Sequence, residues 1–315
     1  MKNKRYQLKP ALILCGAMTA LIIVIFVMAG NINRNVAKNM KGRLLYDEAA
    51  DGGKSSVVMY DFTSEESARI SEDAGFDDAF GGVFAGEHKT AFIARDGGRN
   101  GIYIYDSDKK SAETAAVSDS VGYLDLDYCA SRESLVCLCR GGGKWWIEEI
   151  PADKEHSPAD NGENAVFTSE NEIRALCCSE EGDVYFVHDN GNGGGVLKVI
   201  KASRTETLYV SEKTELCGVD ASNGAVLVCE NGEKGRAVLQ YNAKRSLLDR
   251  LKFNSDEYEC AAPLAVSSTQ FIVSADIRGS FEIYVCNGSN IVRAEKIVSE
   301  RDMFVTDYAS EQPEK

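Results

Sequence analysis

Short apolar runs recur along the chain at a nearly fixed spacing. One set begins at Val57 (VVMYDF), Ile102 (IYIYD), Trp145 (WWIEEI), Val196 (VLKVI), Ala237 (AVLQY) and Phe281 (FEIYVC), at intervals of 45, 43, 51, 41 and 44 residues. A second set starts at Thr90 (TAFIARD), Ser134 (SLVCLCR), Asp183 (DVYFVHD), Ala225 (AVLVCEN) and Gln270 (QFIVSAD), each just ahead of a member of the first. The pairs are joined by DGGRNG, GGGK, NGNGGG, NGEKGR and DIRGS, turns whose glycines and asparagines supply the positive φ angles of tight hairpins. A less regular run precedes each hairpin and a weaker strand candidate follows it (ETAAVS, AVFTS, ETLYVS, LLDRLKF, RAEKIVS). Four strands in a unit of about 45 residues is the size of a β-propeller blade.

Two features sharpen that expectation. The second strand of each unit is almost continuously apolar, which suits a strand covered on both faces by neighbouring blades better than the alternation of a two-sheet sandwich. Beyond the first 43 residues no stretch sustains a 3.6-residue apolar period, so a helical solenoid does not fit. Five complete units run from about Gly75 to Arg301, with fragments at both ends. RLLYDEA (43–49), SSVVMYDF (55–62) and SARIS (67–71) supply three strands of a sixth unit, and FVTDYA (304–309) is the last apolar run able to supply the fourth. The expected fold is all-β, a six-bladed β-propeller whose closing blade mixes both chain ends, because closure pairs the backbone groups that an open edge would leave exposed.

A different pattern opens the chain. Ala11–Gly30 is twenty residues without a charge, long enough as a helix to span roughly 30 Å of hydrocarbon. It reads as a single transmembrane α-helix acting as a signal anchor. A cleaved signal peptide is the alternative, since Val27 and Ala29 form an A-x-A-like site. The organisation expected is a cytoplasmic tail (1–10), the helix (11–30), a basic juxtamembrane linker (31–43) and an extracytoplasmic propeller (44–315). Four Lys/Arg lie on each side of the helix, so orientation rests on the short tail and the large C-terminal part. Cys15 follows Leu14, where a lipobox needs a small residue, and is an ordinary helix position.

AFIARDGGRNGIYIYD (91–106) and SEEGDVYFVHDNGNGGGVLKV (179–199) carry a further signal: a turn, an apolar strand, a Gly-rich turn and a second strand. In this the chain resembles the TolB-type, PD40-like (WD40-like) propellers. Most turns lack that family's Pro-Asp-Gly core, and the Gly-His and Trp-Asp signatures of WD40 blades are absent. The resemblance implies a binding or scaffolding propeller and carries no catalytic residue across.

The charge divides with the architecture. The first 43 residues hold eight Lys/Arg and no Asp/Glu, whereas the remainder holds 27 basic and 49 acidic side chains, a balance of −22. Nucleic acid is an improbable partner for such a surface. The Gly-rich turns lack P-loop spacing, the three histidines (His88, His156, His188) share no constellation, with His188 expected on an exposed turn, and no calcium-loop motif is present. No catalytic, cofactor-binding or metal residue is therefore assigned. The many carboxylates read as a solvated acidic surface. Nine cysteines lie beyond the membrane segment and are expected mainly as reduced core thiols, the alternative being a disulfide or metal between Cys129 and Cys177. Asn287-Gly-Ser is a sequon of the kind chance supplies.

The long loop PADKEHSPADNGEN (151–164) accounts for the one 51-residue interval. Loops added to a rigid scaffold often carry recognition. Lys154, His156 and Asp160 in it, with Trp145 and Trp146 beside it, are the candidate partner contacts. One tryptophan is expected between blades and the other outward. The function expected is a protein- or peptide-binding scaffold of the cell envelope. A small-ligand or glycan sensor using the channel or a mouth of the ring is the alternative, and a propeller hydrolase a third.

Overall fold

The computed structural model describes residues 40–310, apart from 154–155, 157–161, 223, 233–234, 243–246, 254–258, 268, 277–278, 288–289, 295–296 and 298. The predicted membrane span (11–30), the tail and nearly all of the linker lie outside the described residues. Among the described residues no helix is long and apolar enough to cross a membrane.

Six four-stranded antiparallel sheets form the blades, ordered here from the innermost strand outward. Blade I is β24 (Met303–Ala309), β1 (Arg43–Ala49), β2 (Ser55–Asp61) and β3 (Glu66–Arg69). Blade II is β4 (Ala79–Phe84), β5 (Lys89–Asp96), β6 (Arg99–Asp106) and β7 (Ser111–Ser118); blade III is β8 (Gly122–Cys129), β9 (Ser134–Gly141), β10 (Lys144–Pro151) and β11 (Phe167–Ser169). Blade IV is β12 (Ile173–Cys178), β13 (Val184–Asp189), β14 (Gly195–Lys201) and β15 (Arg204–Ser211). Blade V is β16 (Glu215–Asp220), β17 (Ala225–Gly232), β18 (Gly235–Asn242) and β19 (Leu247–Phe253); blade VI is β20 (Glu259–Ala265), β21 (Gln270–Asp276), β22 (Phe281–Asn287) and β23 (Asn290–Arg293).

The ring closes as the chain ends predict. β24 pairs antiparallel with β1 from Arg43↔Ala309 to Glu48↔Met303, so the last described strand is the innermost of the first blade. The apolar second strands are buried on both faces, as in β9, where Ser134–Cys139 are all buried. Their side chains enter six hydrophobic clusters, and each cluster spans one seam between adjacent blades. At the seam of blades II and III, for example, Ile93 and Ile102 meet Tyr123, Leu135 and Trp146. The core is thus a set of six interblade layers around a channel.

Two elements differ from expectation. The fourth strand of blade VI is Asn290–Arg293, not the later run RAEKIVS, because it follows β22 directly through a tight hairpin with Asn287 opposite Asn290. His188 is not an exposed turn residue: it lies within β13, 8% exposed, packed against Phe186, with Nδ1 2.7 Å from the Asp189 carbonyl. Burial, with Lys198 nearby, pushes its pKa down.

Candidate functional site: the acidic central channel

The six innermost strands share a local irregularity. Each pairs with its second strand through a bulge, and the residues skipped are Thr306, Gly81 with Gly82, Leu124, Arg174, Cys217 and Ala262. A bulge leaves its extra residue out of the ladder and re-aims it. Thr306, Gly81, Leu124, Arg174, Cys217 and Ala262 all line the channel, whose cavity measures about 540 Å³. The same cavity is lined by Asp47, Asp125, Asp127, Asp220 and Asp307, and Arg174 is the only cationic side chain among its described lining residues.

The five aspartates obey one rule: each reaches across to a backbone N–H of the next blade's innermost strand. Gly81 N donates to Asp47 Oδ2 at 2.8 Å and Phe84 N to Asp307 Oδ2 at 2.7 Å, joining blades I and II. Leu176 N donates to Asp125 Oδ2 at 2.9 Å and Cys178 N to Asp127 Oδ2 at 2.5 Å, joining III and IV. Ala265 N donates to Asp220 Oδ2 at 2.6 Å, joining V and VI, and the Ser222 hydroxyl donates to the same oxygen. The carboxylates therefore come from blades I, III and V, and the receiving strands belong to II, IV and VI. The IV–V seam uses other groups: Arg174 pairs with Glu215 at 3.1 Å, and the Tyr209 hydroxyl donates to Glu230.

Depth within the ring sets their acidity. Each aspartate is half-buried on the channel wall. Burial pushes Asp47 up to about 7 and Asp125, Asp220 and Asp307 up to about 6. Asp127 is also raised well above the ordinary carboxylate range, first by burial and then by the charges of Asp307 and Asp220. Asp125 adds to the rise at Asp47 in the same way. The backbone hydrogen bonds oppose these shifts because they favour the ionised form, but burial prevails. The channel wall therefore holds carboxylates that titrate near neutrality and that a cation would relieve.

The default of a solvated acidic surface is thus corrected for these five residues. For four of them the signal was present as an aspartate recurring along alternate inner strands, LDLDYC, GVDAS and VTDYA, whereas Asp47 comes from the second strand of blade I. What hid it was the absence of any periodic pattern in the bulged inner strands.

The residues singled out from the sequence lie elsewhere. Trp146 is fully buried at the seam of blades II and III, whereas Trp145 is half-buried, with the Arg140 guanidinium 4.8 Å over its ring. Lys154 and Asp160 lie outside the described residues. His156 folds back onto the ring: its N–H donates to the Ala115 carbonyl at 2.7 Å, and its Nε2 sits 2.8 Å from Glu148 Oε1. Glu148 is fully buried, and Trp146 Nε1 donates to its other oxygen at 3.1 Å. Gly162, at φ +72°, lies flat on the Trp146 indole, where a Cβ would stand 3.0 Å from the ring. The loop is therefore tied down at two described points. Replacing His156 by alanine removes one of two hydrogen bonds to a buried carboxylate and should cost about 2–3 kcal/mol. In a thermal melt, H156A should fall below wild type and E148Q/H156A should recover part of the loss; equal melting of all three would show that the contact does not matter.

Of the nine described cysteines seven are buried and Cys178 and Cys217 are half-buried, in keeping with core packing positions. The thiol in contact with Cys129 is that of Cys178, the neighbour of the residue the sequence suggested. Among the described residues no cluster of three or more His, Cys, Asp or Glu side chains could hold a metal ion.

No family model matches the chain, and no curated protein matches it in sequence. Solved structures do match in shape. TolB from Acinetobacter baumannii superposes with a TM-score of 0.62 at 11% identity, over 85% of this chain and 66% of that one. The likeness to TolB is one of fold alone. A puromycin-hydrolyzing peptidase of Mycobacterium tuberculosis gives 0.53 at 14% identity, over 82% of this chain and 48% of its own. An oligogalacturonate lyase in complex with manganese gives 0.55 at 11%, over 78% and 71%. The chain thus spans just under two thirds of that TolB and about half of the peptidase. The six-bladed architecture has TolB-like structural neighbours, and structures of similar shape include proteins named as a peptidase and a lyase.

Proposed function

We propose that this protein is a membrane-anchored, extracytoplasmic binding or scaffold propeller whose channel receives a positively charged segment of an envelope protein or peptide. The observation that carries the reading is the ring of five channel aspartates with raised pKa. Carboxylates held close together away from bulk water are unfavourable when ionised, and an entering lysine, arginine or chain amino terminus offsets that repulsion. The anchor at 11–30 and the charge contrast between linker and ring support placement at a membrane surface, with the acidic ring repelled by anionic headgroups. The TolB-like shape accords with a binding role. A channel of about 540 Å³ also suits a small organic cation, which makes a small-ligand sensor the second reading.

Binding of a cation displaces protons from these aspartates, so affinity should rise with pH. Titrating the purified full-length protein with a Lys/Arg-rich decapeptide should give at least tenfold tighter binding at pH 7.5 than at pH 5.5. A Glu-rich counterpart should not bind, and D127N/D220N/D307N should weaken binding and shrink the difference, Asp47 and Asp125 remaining. Equal binding of both peptides, or an unchanged triple variant, would sink the reading.

A further inference from the structure

The seam between blades V and VI carries a cluster the channel reading does not use. Cys217 is the bulged residue of β16 and lines the channel, half-buried. Its Sγ lies 2.9 Å from the carbonyl oxygen of Cys260, the second residue of β20 on the next blade. Asn231 bridges the two cysteines: its Nδ2 is 3.1 Å from Cys217 Sγ, while its Oδ1 is 3.4 Å from Cys260 Sγ and accepts the Cys260 N–H at 3.1 Å. The strands are in backbone contact here. A Cβ on Gly218, the residue after Cys217, would stand 2.7 Å from the Ala262 nitrogen, so only glycine permits the approach. Cys229 on β17 joins the cluster from behind but is fully buried, with no surface on the channel.

We propose that Cys217 and Cys260 are an oxidisable pair, forming a reversible disulfide that stitches blade V to blade VI when peroxide enters the channel. The Asn231 amide touches both sulfurs, at 3.1 and 3.4 Å, across adjacent innermost strands, and Cys217 lines the channel. Hydrogen bonds from the Cys217 and Cys229 thiols hold Cys260 well below the ordinary thiol range, which makes it the resolving nucleophile.

The chemistry balances with hydrogen peroxide as the oxidant. Cys217, whose thiol is held above the ordinary range, gives up its proton as its sulfur attacks one peroxide oxygen; the O–O bond breaks, hydroxide leaves, and a sulfenic acid forms on Cys217. The Cys260 thiolate then attacks Cys217 Sγ, forming the S–S bond and expelling the second hydroxide. The hydroxides take up the two thiol protons. Two thiols and one peroxide thus become one disulfide and two waters, with two electrons passing from sulfur to oxygen. An added dithiol reverses the step by exchange.

Neighbouring thiols make the proposal specific. Cys129 and Cys178 also meet across a seam, III to IV, and there too one thiol lines the channel while the other is fully buried, but the V–VI pair is the one whose two sulfurs are bridged by an asparagine amide. Purified, reduced full-length protein treated with hydrogen peroxide should fall from ten to eight titratable thiols after denaturation, and regain ten with dithiothreitol. Digestion without reductant should yield a linked peptide joining Cys217 to Cys260. C217S and C260S should each abolish it, and C229S should retain it. The wild-type mass spectrum decides the matter even if a variant fails to fold. A dominant Cys229–Cys260 or Cys129–Cys178 link, Cys217 halted as sulfinic acid, or ten thiols after oxidation would each overturn the proposal.

Discussion

A chain ending at Met303 should lose its cooperative thermal transition, or melt more than about 10 °C below the intact protein. The missing residues, 304–315, include all but the first residue of β24. Their loss strips the β1 ladder of its inner partner and removes Val305, 1% exposed in the cluster that joins blades VI and I. It also takes away Asp307, the acceptor of the Phe84 N–H in blade II. Burying one valine contributes about 1.5–3 kcal/mol, and each ladder hydrogen bond about 1 kcal/mol net. Five of the six β1–β24 register pairs would go. Together these approach the whole stability of an ordinary domain, about 5–15 kcal/mol. The unpaired β1 edge should also promote association, because exposed N–H and C=O groups template strand addition. Circular dichroism melts and size-exclusion chromatography of the truncated and intact proteins provide the check. Melting within about 2 °C of wild type, with no association, would show that the ring does not depend on this closure.

The intact protein should become more thermostable as pH falls from 7.5 to 5, against the common expectation for acidification. An unfolded aspartate titrates near 4. In the folded ring Asp125, Asp220 and Asp307 titrate at about 6 and Asp47 at about 7, with Asp127 raised as well. Between those values the native state holds protons that the unfolded state has released, so stability falls with rising pH. The contribution is fully present below about pH 4 and lost above about pH 7. Asp77 and Asp106, whose pKa values are lowered by Lys54 and Lys109, act in the opposite sense and only at lower pH.

Two pH units correspond to a ceiling of about 2.7 kcal/mol for one group, reduced because channel water screens it. A rise in Tm on the order of 5–10 °C is expected for the set. D307N should flatten part of this dependence while melting no lower than wild type at pH 7.5, since the amide oxygen still accepts the Phe84 N–H. D307A should melt lower, because an unmade buried hydrogen bond costs about 1–3 kcal/mol. A Tm that is level or declining from pH 7.5 to 5 would refute the assignment.

These expectations show where sequence reading succeeds. The hairpins joining β5 to β6 and β13 to β14 were legible from AFIARDGGRNGIYIYD and DVYFVHDNGNGGGVLKV, because strand burial and turn geometry are local demands written in consecutive residues. The closing strand was legible as well, since a ring with five complete blades and two fragments leaves MFVTDYA one place to pair. The fourth strand of blade VI was misplaced because a four-residue edge strand imposes little pattern.

The candidate site was much less visible. Leu124, Arg174, Cys217 and Thr306 enter the channel through bulges, and a bulge is a relation between two strands that neither strand's residues announce. Asp127, Asp220 and Asp307 stand in unrelated stretches of sequence and become one group only when alternate blades bring them round the axis. Their raised pKa values depend on that convergence and on depth. His156 likewise reaches Glu148 only because the loop turns back over the seam.

By itself, then, the sequence determined the strand repeat, the number of blades, the closure and the division of charge between a basic apolar start and an acidic ring. These follow from short-range periodicity, turn chemistry and composition. Only the tertiary structure decided that aspartates bridge alternate seams, that six bulged residues face a common channel, and that Cys217 meets Cys260, because each depends on distances between residues far apart in the chain.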